Sequence, residues 1–415
     1  MEVRVDLLDK RAQEPPQHRH LYFAEVWREV VVRLGMCGCL ACIMPLLPTS
    51  TSEIANEGGR RLYSKWTRRT QSTHTTTDKQ AMTTEGELVP AALTEDPRSW
   101  VGQHFLSVTQ LSLPALELFL REAEAMKALV TAHGGDRRMQ GRILGSIFFE
   151  PSTRTTSSFQ AAFQRLGGSC LHVNESTSSA QKGETLSDTV RSMACYCDLV
   201  VVRHPVKGSV GSAAGTCPKP LLNAGDGTGE HPTQSLLDLL TVKLELGEIT
   251  GKTVALVGDL KHGRTAHSLA RLLCLFSGVK LIFVSPESLS MPEEVKEYVG
   301  SRGVAQREVF TLDADVLAET DVLYMTRVQK ERFATTADYD AVKDIFRITP
   351  QVMEQGKSTL VLMHPLPRVG EIDEEVDRDP RAAYFRQMEN GMYARMALVA
   401  LILGVPTFHT QSRLS

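Results

Sequence analysis

The chain has 415 residues, of which 42% are hydrophobic and 23% charged, a composition that excludes wholesale disorder and allows two or three domains. Lys and Arg total 46 against 49 for Asp and Glu, and the resulting net charge of -3 argues against a generic nucleic-acid binder. The eight cysteines form a single CxxC pair, Cys39 and Cys42, with no second pair to complete a zinc site, and the histidines do not cluster with cysteines or carboxylates at ligand spacing. No GxGxxG turn occurs either. We therefore expect neither a metal nor a cofactor.

The first 97 residues differ in composition from the rest of the chain. An apolar stretch at 30–48, broken by Arg33, is shorter than the ~20 residues of a membrane span, so no membrane contact is expected. Residues 58–77 hold five basic residues and no acidic ones and end in a hydroxyl-rich run, as organelle transit peptides do. We expect residues 1–97 to be a disordered extension of a cytoplasmic protein, with organelle or plastid targeting as the alternative.

From about Trp100 onward, short apolar runs alternate with longer helical patterns. The predicted strands are Ile143–Phe149, Leu199–Val202, Val254–Val257, Leu281–Val284, Val322–Met325 and Leu360–Met363. The predicted helices are Leu111–Val130, Ser157–Leu166, Leu186–Cys195, Thr233–Leu246, Ala266–Phe276, Glu293–Arg302 and Met392–Leu403. Such alternation is typical of parallel sheets covered by helices on both faces, and its length exceeds one compact core. We expect an α/β fold of two doubly wound parallel-sheet domains, 98–232 (completed by 386–405) and 233–385, with a closing C-terminal helix.

The sharpest local pattern is a hydroxyl-rich string that directly follows the first predicted strand. It reads Ser152-Thr153-Arg154-Thr155-Thr156-Ser157-Ser158. A strand that ends in such a string and opens a helix leaves backbone N–H groups free for an anion, and Arg154 adds a planar fork suited to phosphate oxygens. A single N-cap at Ser152 or Thr153 is the ordinary use of these residues. Because six hydroxyl residues surround one arginine, we favour a phosphate site; no GxxxxGK[ST] loop occurs.

Polar residues also follow the later strands, where α/β folds place their ligands. These stretches are Arg203-His204-Pro205, Gly225 to Gln234, Gly258 to Thr265, Met325 to Lys330 and His364-Pro365-Leu366-Pro367-Arg368. Each alone is typical of a surface loop. Together they predict one cationic crevice for substrates that carry several negative charges.

These strings together resemble the carbamoyltransferases. The stretches 258–265 and 325–332 resemble the aspartate branch of the aspartate/ornithine carbamoyltransferase family, and the resemblance runs from about Trp100 to Val405. Asp379–Phe385 and Asn390–Tyr393 resemble the version fused into the animal pyrimidine-synthesis polypeptide. The resemblance implies a carbamoyl phosphate domain, an aspartate domain and an active site between them. It further implies carbamoyl transfer from carbamoyl phosphate to L-aspartate, an early committed step of de novo pyrimidine (UMP) biosynthesis.

The resemblance also implies site residues. Those expected at carbamoyl phosphate are Ser152, Thr153, Arg154, Thr155, Ser178, Arg203, His231, Gln234, Pro365, Leu366 and Pro367. Those expected at aspartate are Lys182, Arg264, Arg327, Gln329 and Leu366. The expected catalytic residues are Arg154, Thr155, Arg203, His231 and Lys182.

Lys182 stands apart from the other expected catalytic residues. In isolation, a lysine beside glycine in a polar loop is usually a solvated charge. The family pattern sends this loop, with Ser178, into the active site of a neighbouring subunit, which implies a homotrimer with shared sites.

Two other functions are compatible with parts of the pattern. Ornithine carbamoyltransferase shares the carbamoyl phosphate half, but its substrate carries an extra ammonium group, whereas the second half here offers Arg264, Arg327 and Lys182. The string His364-Pro365-Leu366-Pro367 also has proline where the ornithine branch has cysteine. A non-catalytic scaffold would be expected to lack part of the phosphate string or the His231 and Gln234 pair. The sequence favours a catalyst that acts on aspartate.

Overall fold

The computed structural model describes residues 90–174 and 179–407. Most of the predicted leader, and Ser178, lie outside the described residues. The last part of the 1–97 range is described, and Leu93 is buried there and forms a bridge with Leu111. The folded part of the chain therefore includes residues from the end of the predicted leader.

Two parallel sheets form the framework. The first has the order β2-β1-β3-β4, and the second has the order β7-β6-β5-β8-β9. The strands are β1 Ile143–Phe148, β2 Ser169–Asn174, β3 Leu199–His204, β4 Leu221–Asp226, β5 Thr253–Val257, β6 Lys280–Val284, β7 Ala305–Val309, β8 Val322–Met325 and β9 Val361–Met363. The central strands are buried on both faces, as parallel sheets require.

Helices cover both sheets. They are α1 Leu113–His133, α2 Thr153–Arg165, α3 Leu186–Ala194, α4 Ser209–Ala214, α5 Pro232–Leu246, α6 Arg264–Leu273, α7 Glu293–Ser301, α8 Ala314–Glu319, α9 Thr336–Asp340, α10 Pro350–Glu354 and α11 Tyr384–Ile402. The C-terminal helix α11 packs against α1, α2 and α5, and one apolar core runs through all four and through both sheets. Within the described part of the chain, no helix is both long and apolar enough to cross a bilayer.

The predicted α/β fold with two parallel sheets and a closing helix is confirmed. All six predicted strands are present to within two residues at either end. Two helices begin four or more residues earlier than predicted, at Thr153 and Tyr384. The helix that begins at Thr153 opens with a polar turn, which carries no apolar signal. The prediction omitted β2, β4 and β7, which lie at sheet edges. Strands β2 and β7 are largely exposed, so their sequences lack the apolar run that marks a central strand.

The strand order explains where a ligand site can form. In the first sheet the order reverses between β1 and β3, and in the second it reverses between β5 and β8. Open parallel sheets bind ligands outside the carboxyl ends of the strands at such reversal points. Each of these four strands is followed by one of the polar strings predicted to bind substrate. In both sheets, these polar strings thus lie at the carboxyl ends of the strands that flank the reversal point.

Candidate functional site

One cleft of about 870 Å³ gathers residues from both sheets. All five polar stretches that follow strands contribute to its lining, as the sequence predicts. The predicted site residues that line it are Ser152, Thr153, Arg154, Thr155, Arg203, His231, Gln234, Arg264, Arg327, Gln329, Pro365, Leu366 and Pro367. Lys182 is exposed and is not among the lining residues, and Ser178 lies outside the described residues.

The hydroxyl string opens helix α2 at the edge of the cleft. Ser152 occupies the N-cap position, but its side chain makes no capping hydrogen bond. The N-cap interpretation of this string is therefore wrong for the side chain of Ser152. Helices α5 and α6 also begin at the cleft, and their N-cap residues, His231 and Gly263, make no side-chain capping hydrogen bond. By contrast, Ser112 and Thr185 cap helices away from it. The cleft receives three helix N-termini, which favour an anion.

Positive charge dominates the cleft. The arginines that line it are Arg154, Arg203, Arg264, Arg327 and Arg395. Burial, followed by the charge of Arg327, lowers the pKa of Arg154. Burial, followed by Arg264, lowers the pKa of Arg203 to about 10, which leaves Arg203 charged at neutral pH. The guanidinium groups repel one another in the empty cleft, and a bound anionic ligand would offset this repulsion.

Glu150 is a site residue that the sequence reasoning missed. One carboxylate oxygen, Oε2, accepts from Arg203 Nε at 2.9 Å and from Arg264 Nη2 at 2.8 Å, and Arg332 Nη2 lies 3.6 Å from Oε1. Burial alone would raise the pKa of Glu150, but Arg264 and Arg203 outweigh burial and hold the pKa below its ordinary value. Glu150 is the only carboxylate among the described residues that line the cleft. A cluster of arginines needs such a counter-charge, and the acid at the end of β1 was the available signal.

His231 is buried at the start of α5, with 3% of its surface exposed. Burial first, and then the charges of Arg203, Arg264 and Arg395, lower its pKa well below the ordinary value. The imidazole is therefore neutral at neutral pH and offers one N–H donor. Its backbone N–H donates to Ser268 Oγ at 3.1 Å, which fixes the turn into the helix.

The second sheet's half of the site is held by loops that follow strands of both sheets. Arg264 Nη1 donates to the carbonyl of Gly227 at 2.8 Å. Gly225 has φ +122°, and a Cβ there would lie 3.0 Å from Arg264 Cζ, so glycine leaves room for the guanidinium. Gln329 Nε2 donates to the carbonyl of His262 at 3.0 Å. These contacts hold Arg264 and Gln329 on adjoining walls of the cleft.

A buried carboxylate lies just behind the lining residue Gln234. Asp238 has none of its surface exposed and accepts from Gln234 Nε2 at 2.9 Å, Gln387 Nε2 at 2.6 Å and Tyr324 Oη at 2.9 Å. Burial raises the pKa of Asp238 to about 7, although these three hydrogen bonds and the charge of Arg395 favour the ionised form. No local sequence pattern indicates this network, because its members come from α5, β8 and α11.

The loop after β9 is held by a buried pair. His364 Nε2 lies 2.8 Å from Glu371 Oε1, and the backbone N–H groups of Val369 and Gly370 donate to Oε2 at 3.0 Å. Burial alone would raise the pKa of Glu371, but its hydrogen bonds, first the one with His364 and then those from the backbone, lower the pKa to about 2. The pair anchors the start of the Pro365–Pro367 wall.

The cleft is equipped for charge stabilisation. Its lining groups donate hydrogen bonds from guanidinium, hydroxyl, imidazole and amide groups. Across the described ranges, 90–174 and 179–407, no group of three or more His, Cys, Asp or Glu residues is arranged to hold a metal ion. The arrangement can bind two small anions side by side and stabilise negative charge that develops between them.

Two protein-family models match nearly the whole described part of the chain. Residues 103–244 match the carbamoyl-phosphate-binding domain of the aspartate/ornithine carbamoyltransferases. Residues 250–402 match the aspartate/ornithine-binding domain of the same family.

Similar proteins include longer, multifunctional chains. The chain is 52% identical over 305 residues to the multifunctional protein CAD of Squalus acanthias, covering 74% of this chain and 14% of that protein. It is 51% identical over 306 residues to the multifunctional protein pyr1-3 of Dictyostelium discoideum, with the same coverage of 74% and 14%. The chain thus spans about one seventh of the length of these relatives.

Similar solved structures include those of aspartate transcarbamoylase from Trypanosoma cruzi. Aspartate transcarbamoylase in complex with carbamoyl phosphate is 43% identical, with a TM-score of 0.71, covering 74% of this chain and 98% of that chain. The complex with carbamoyl phosphate and aspartate is also 43% identical, with a TM-score of 0.70 and coverage of 74% and 98%.

Proposed function

The chain belongs to the aspartate/ornithine carbamoyltransferase family, and we propose that it transfers the carbamoyl group of carbamoyl phosphate to the amine of L-aspartate. The products are N-carbamoyl-L-aspartate and phosphate, and the reaction is an early committed step of de novo pyrimidine biosynthesis. The observation that carries the proposal is the cleft, where arginines from both sheets surround a neutral imidazole and an amide. Two small substrates, both anionic, match this distribution of charge.

Carbamoyl phosphate occupies the half of the cleft built by the first sheet. The uncapped N-terminus of α2, with the hydroxyls of Ser152, Thr153 and Thr155 and the guanidinium of Arg154, holds the phosphate. Arg203 and His231 donate to the carbonyl oxygen. Gln234 and the carbonyls of the Pro365–Pro367 loop accept from the carbamoyl nitrogen.

The chemistry is attack of the aspartate amine on the carbonyl carbon. Negative charge grows on the carbonyl oxygen in a tetrahedral intermediate, and the C–O bond to phosphate then breaks. A preorganised donor at that oxygen lowers the barrier by about 3 kcal/mol, and Arg203 and His231 are such donors. The leaving phosphate accepts the amine proton, so the reaction balances without a protein base. Most of the rate enhancement comes from positioning and electrostatics.

Aspartate occupies the half built by the second sheet. Arg264, Arg327 and Gln329 grip its two carboxylates. Ornithine would place an ammonium group there. The only carboxylate that lines the described cleft, Glu150, is already bound to Arg203 and Arg264, so nothing nearby is free to pair with that ammonium. The charge pattern favours a dicarboxylate.

A direct assay tests this function. The purified full chain is supplied with carbamoyl phosphate and either aspartate or ornithine, and the ureido product is measured. We expect product with aspartate and at least a hundredfold less with ornithine. Absence of product with aspartate, or a preference for ornithine, would refute the proposal. A matched Arg203→Ala chain serves as the control for contaminating activity.

We further propose that the active unit is a homotrimer in which Ser178 and Lys182 complete the site of a neighbouring subunit. In its own subunit Lys182 is exposed and does not line the cleft, which supports a role elsewhere. A Lys182→Ala chain is mixed with an Arg154→Ala chain after dissociation. Shared sites predict that activity returns in the mixture but in neither parent, because some sites then receive both native residues. A mixture as inactive as its parents would exclude shared sites.

We propose a cytoplasmic location. A fluorescent reporter fused to residues 1–97 should then show a diffuse cytosolic signal. Accumulation in an organelle or plastid would instead establish targeting by this segment. The full chain, tagged at its C-terminus, is the matched comparison.

A further inference from the structure

The orientation of the Gln234 amide is set from behind the cleft. Gln234 lines the cleft, and one helical turn later Asp238 is fully buried behind it. Gln234 Nε2 donates to Asp238 Oδ1 at 2.9 Å. A carboxylate only accepts hydrogen bonds, and a protonated carboxyl still accepts at the oxygen that carries no hydrogen, so Asp238 Oδ1 holds the nitrogen end of the amide and leaves the oxygen end for the cleft.

A backbone group makes this assignment unambiguous. The backbone N–H of His364 donates to Gln387 Oε1 at 2.9 Å. A backbone N–H can only donate, so the atom that it contacts must be the amide oxygen. The nitrogen of Gln387 is therefore directed at Asp238 Oδ1, which it reaches at 2.6 Å. Asp238 Oδ1 thus accepts from both amides, and Tyr324 Oη donates to Oδ2 at 2.9 Å.

The loop after β9 also lacks free backbone donors. Pro365 and Pro367 have no backbone N–H, and the N–H of Leu366 donates to His364 Nδ1 at 2.7 Å. All three residues line the cleft. We call the part of the cleft lined by Gln234 and by this loop the corner; the loop has no free backbone N–H there, so its remaining backbone polar groups are carbonyl oxygens.

We propose that Asp238 and Gln387 are positioning residues that turn the Gln234 oxygen into the cleft, so that this corner selects the NH₂ of a carbamoyl group over the isosteric CH₃ of an acetyl group. The proposal rests on the proposed function and adds the means by which the site distinguishes a carbamoyl group from an acetyl group. A methyl group in this corner would leave the acceptor oxygens without partners after removing them from water. Sites built to hydrogen-bond a donor reject analogues that lack it for this reason.

Calorimetry on the full chain tests this preference. The three ligands measured are carbamoyl phosphate, acetyl phosphate and inorganic phosphate. In Asp238→Ala, water can satisfy either face of the Gln234 amide, and its orientation is lost. We expect carbamoyl phosphate to bind about 10- to 100-fold more weakly, with acetyl phosphate and phosphate within twofold of the unaltered chain. Asp238→Leu, which excludes the water, should show the same pattern and replaces the alanine variant if that one does not fold.

Two further variants separate positioning from packing. Asp238→Asn keeps an acceptor at the Oδ1 position, and its amide nitrogen can donate to the Tyr324 hydroxyl, so the preference for carbamoyl phosphate should be retained. Thr241→Val breaks the hydrogen bond between Asn390 and Thr241 (3.0 Å), which joins the same two helices one turn further on. It should lower stability without changing the binding preference.

The outcomes distinguish the alternatives. An unchanged ratio of carbamoyl phosphate to acetyl phosphate affinity in Asp238→Ala or Asp238→Leu would overturn the proposal. An equal loss for all three ligands would also overturn it, because that is the result of a merely structural role. The proposed function is judged separately, by turnover of the unaltered chain with aspartate, since the binding ratio does not depend on turnover.

Discussion

Replacing Glu150 with glutamine should destabilise the empty cleft while strengthening its affinity for phosphate. Glu150 neutralises Arg203 and Arg264 through hydrogen bonds of 2.9 and 2.8 Å, and its side chain is 17% exposed. Glutamine keeps one neutral acceptor but removes the charge. Because the arginines are then left partly buried without a counter-charge, we expect the free energy of unfolding to fall by about 1–3 kcal/mol.

The same substitution makes the cleft one charge more positive. We expect inorganic phosphate to bind about 3- to 10-fold more tightly, because a neighbouring negative charge has been removed from a poorly solvated site. Turnover should fall at least about tenfold, since Arg203 and Arg264 lose the group that orients them. Tighter anion binding with slower turnover is an unusual combination. Chemical denaturation, phosphate calorimetry and steady-state kinetics measure the three effects.

Glu294 provides the matched control. Its carboxylate also faces two cations, with Lys207 Nζ at 3.3 Å and Arg271 Nη2 at 3.7 Å, but its side chain is 56% exposed. Glu294→Gln should change stability by less than about 0.5 kcal/mol and leave phosphate binding and turnover alone. If Glu150→Gln behaves like Glu294→Gln, or binds phosphate more weakly, the account of Glu150 as the counter-charge of the empty cleft is wrong.

The remaining predictions concern charge, pH and chain length. Arg203→Ala should lower kcat about 10²- to 10³-fold in steady-state assays, because it removes a donor from the developing oxyanion; a loss under tenfold would contradict that role. Glu371→Gln should cost about 1–3 kcal/mol at pH 7. Because the pKa of Glu371 is lowered to about 2 by its hydrogen bonds and by His364, the stability it contributes is present above its ordinary pKa and is lost as pH falls from about 4.5 towards 2. The free energies of unfolding of the unaltered chain and of Glu371→Gln, measured by denaturation, should therefore converge as the pH falls across that range. A difference that stays constant would refute the assignment. Deleting residues 1–89 should leave stability and turnover unchanged, whereas deleting 1–97 should lower the melting temperature, because only the longer deletion removes a core leucine and its bridge.

Much of the framework was readable from local sequence. Central strands such as β3 and β5 are short apolar runs because both faces of a parallel sheet are buried. The strings after them, such as 152–158 and 258–265, were recognisable because a ligand site at strand ends needs donors that are contiguous in sequence. Edge strand β7 was missed because its exposed residues carry no such signal.

Tertiary structure decided how those strings work together. The contacts of Glu150 with Arg264 and of Asp238 with Gln387 join residues 114 and 149 positions apart, and neither pair has a local signature. The neutral state of His231 likewise depends on burial and on arginines from other elements. The sequence by itself determined which residues stand at the strand ends, since periodicity and composition are local properties. Which of them are paired, neutral or turned towards the cleft follows from distance and burial, and only the folded chain sets these.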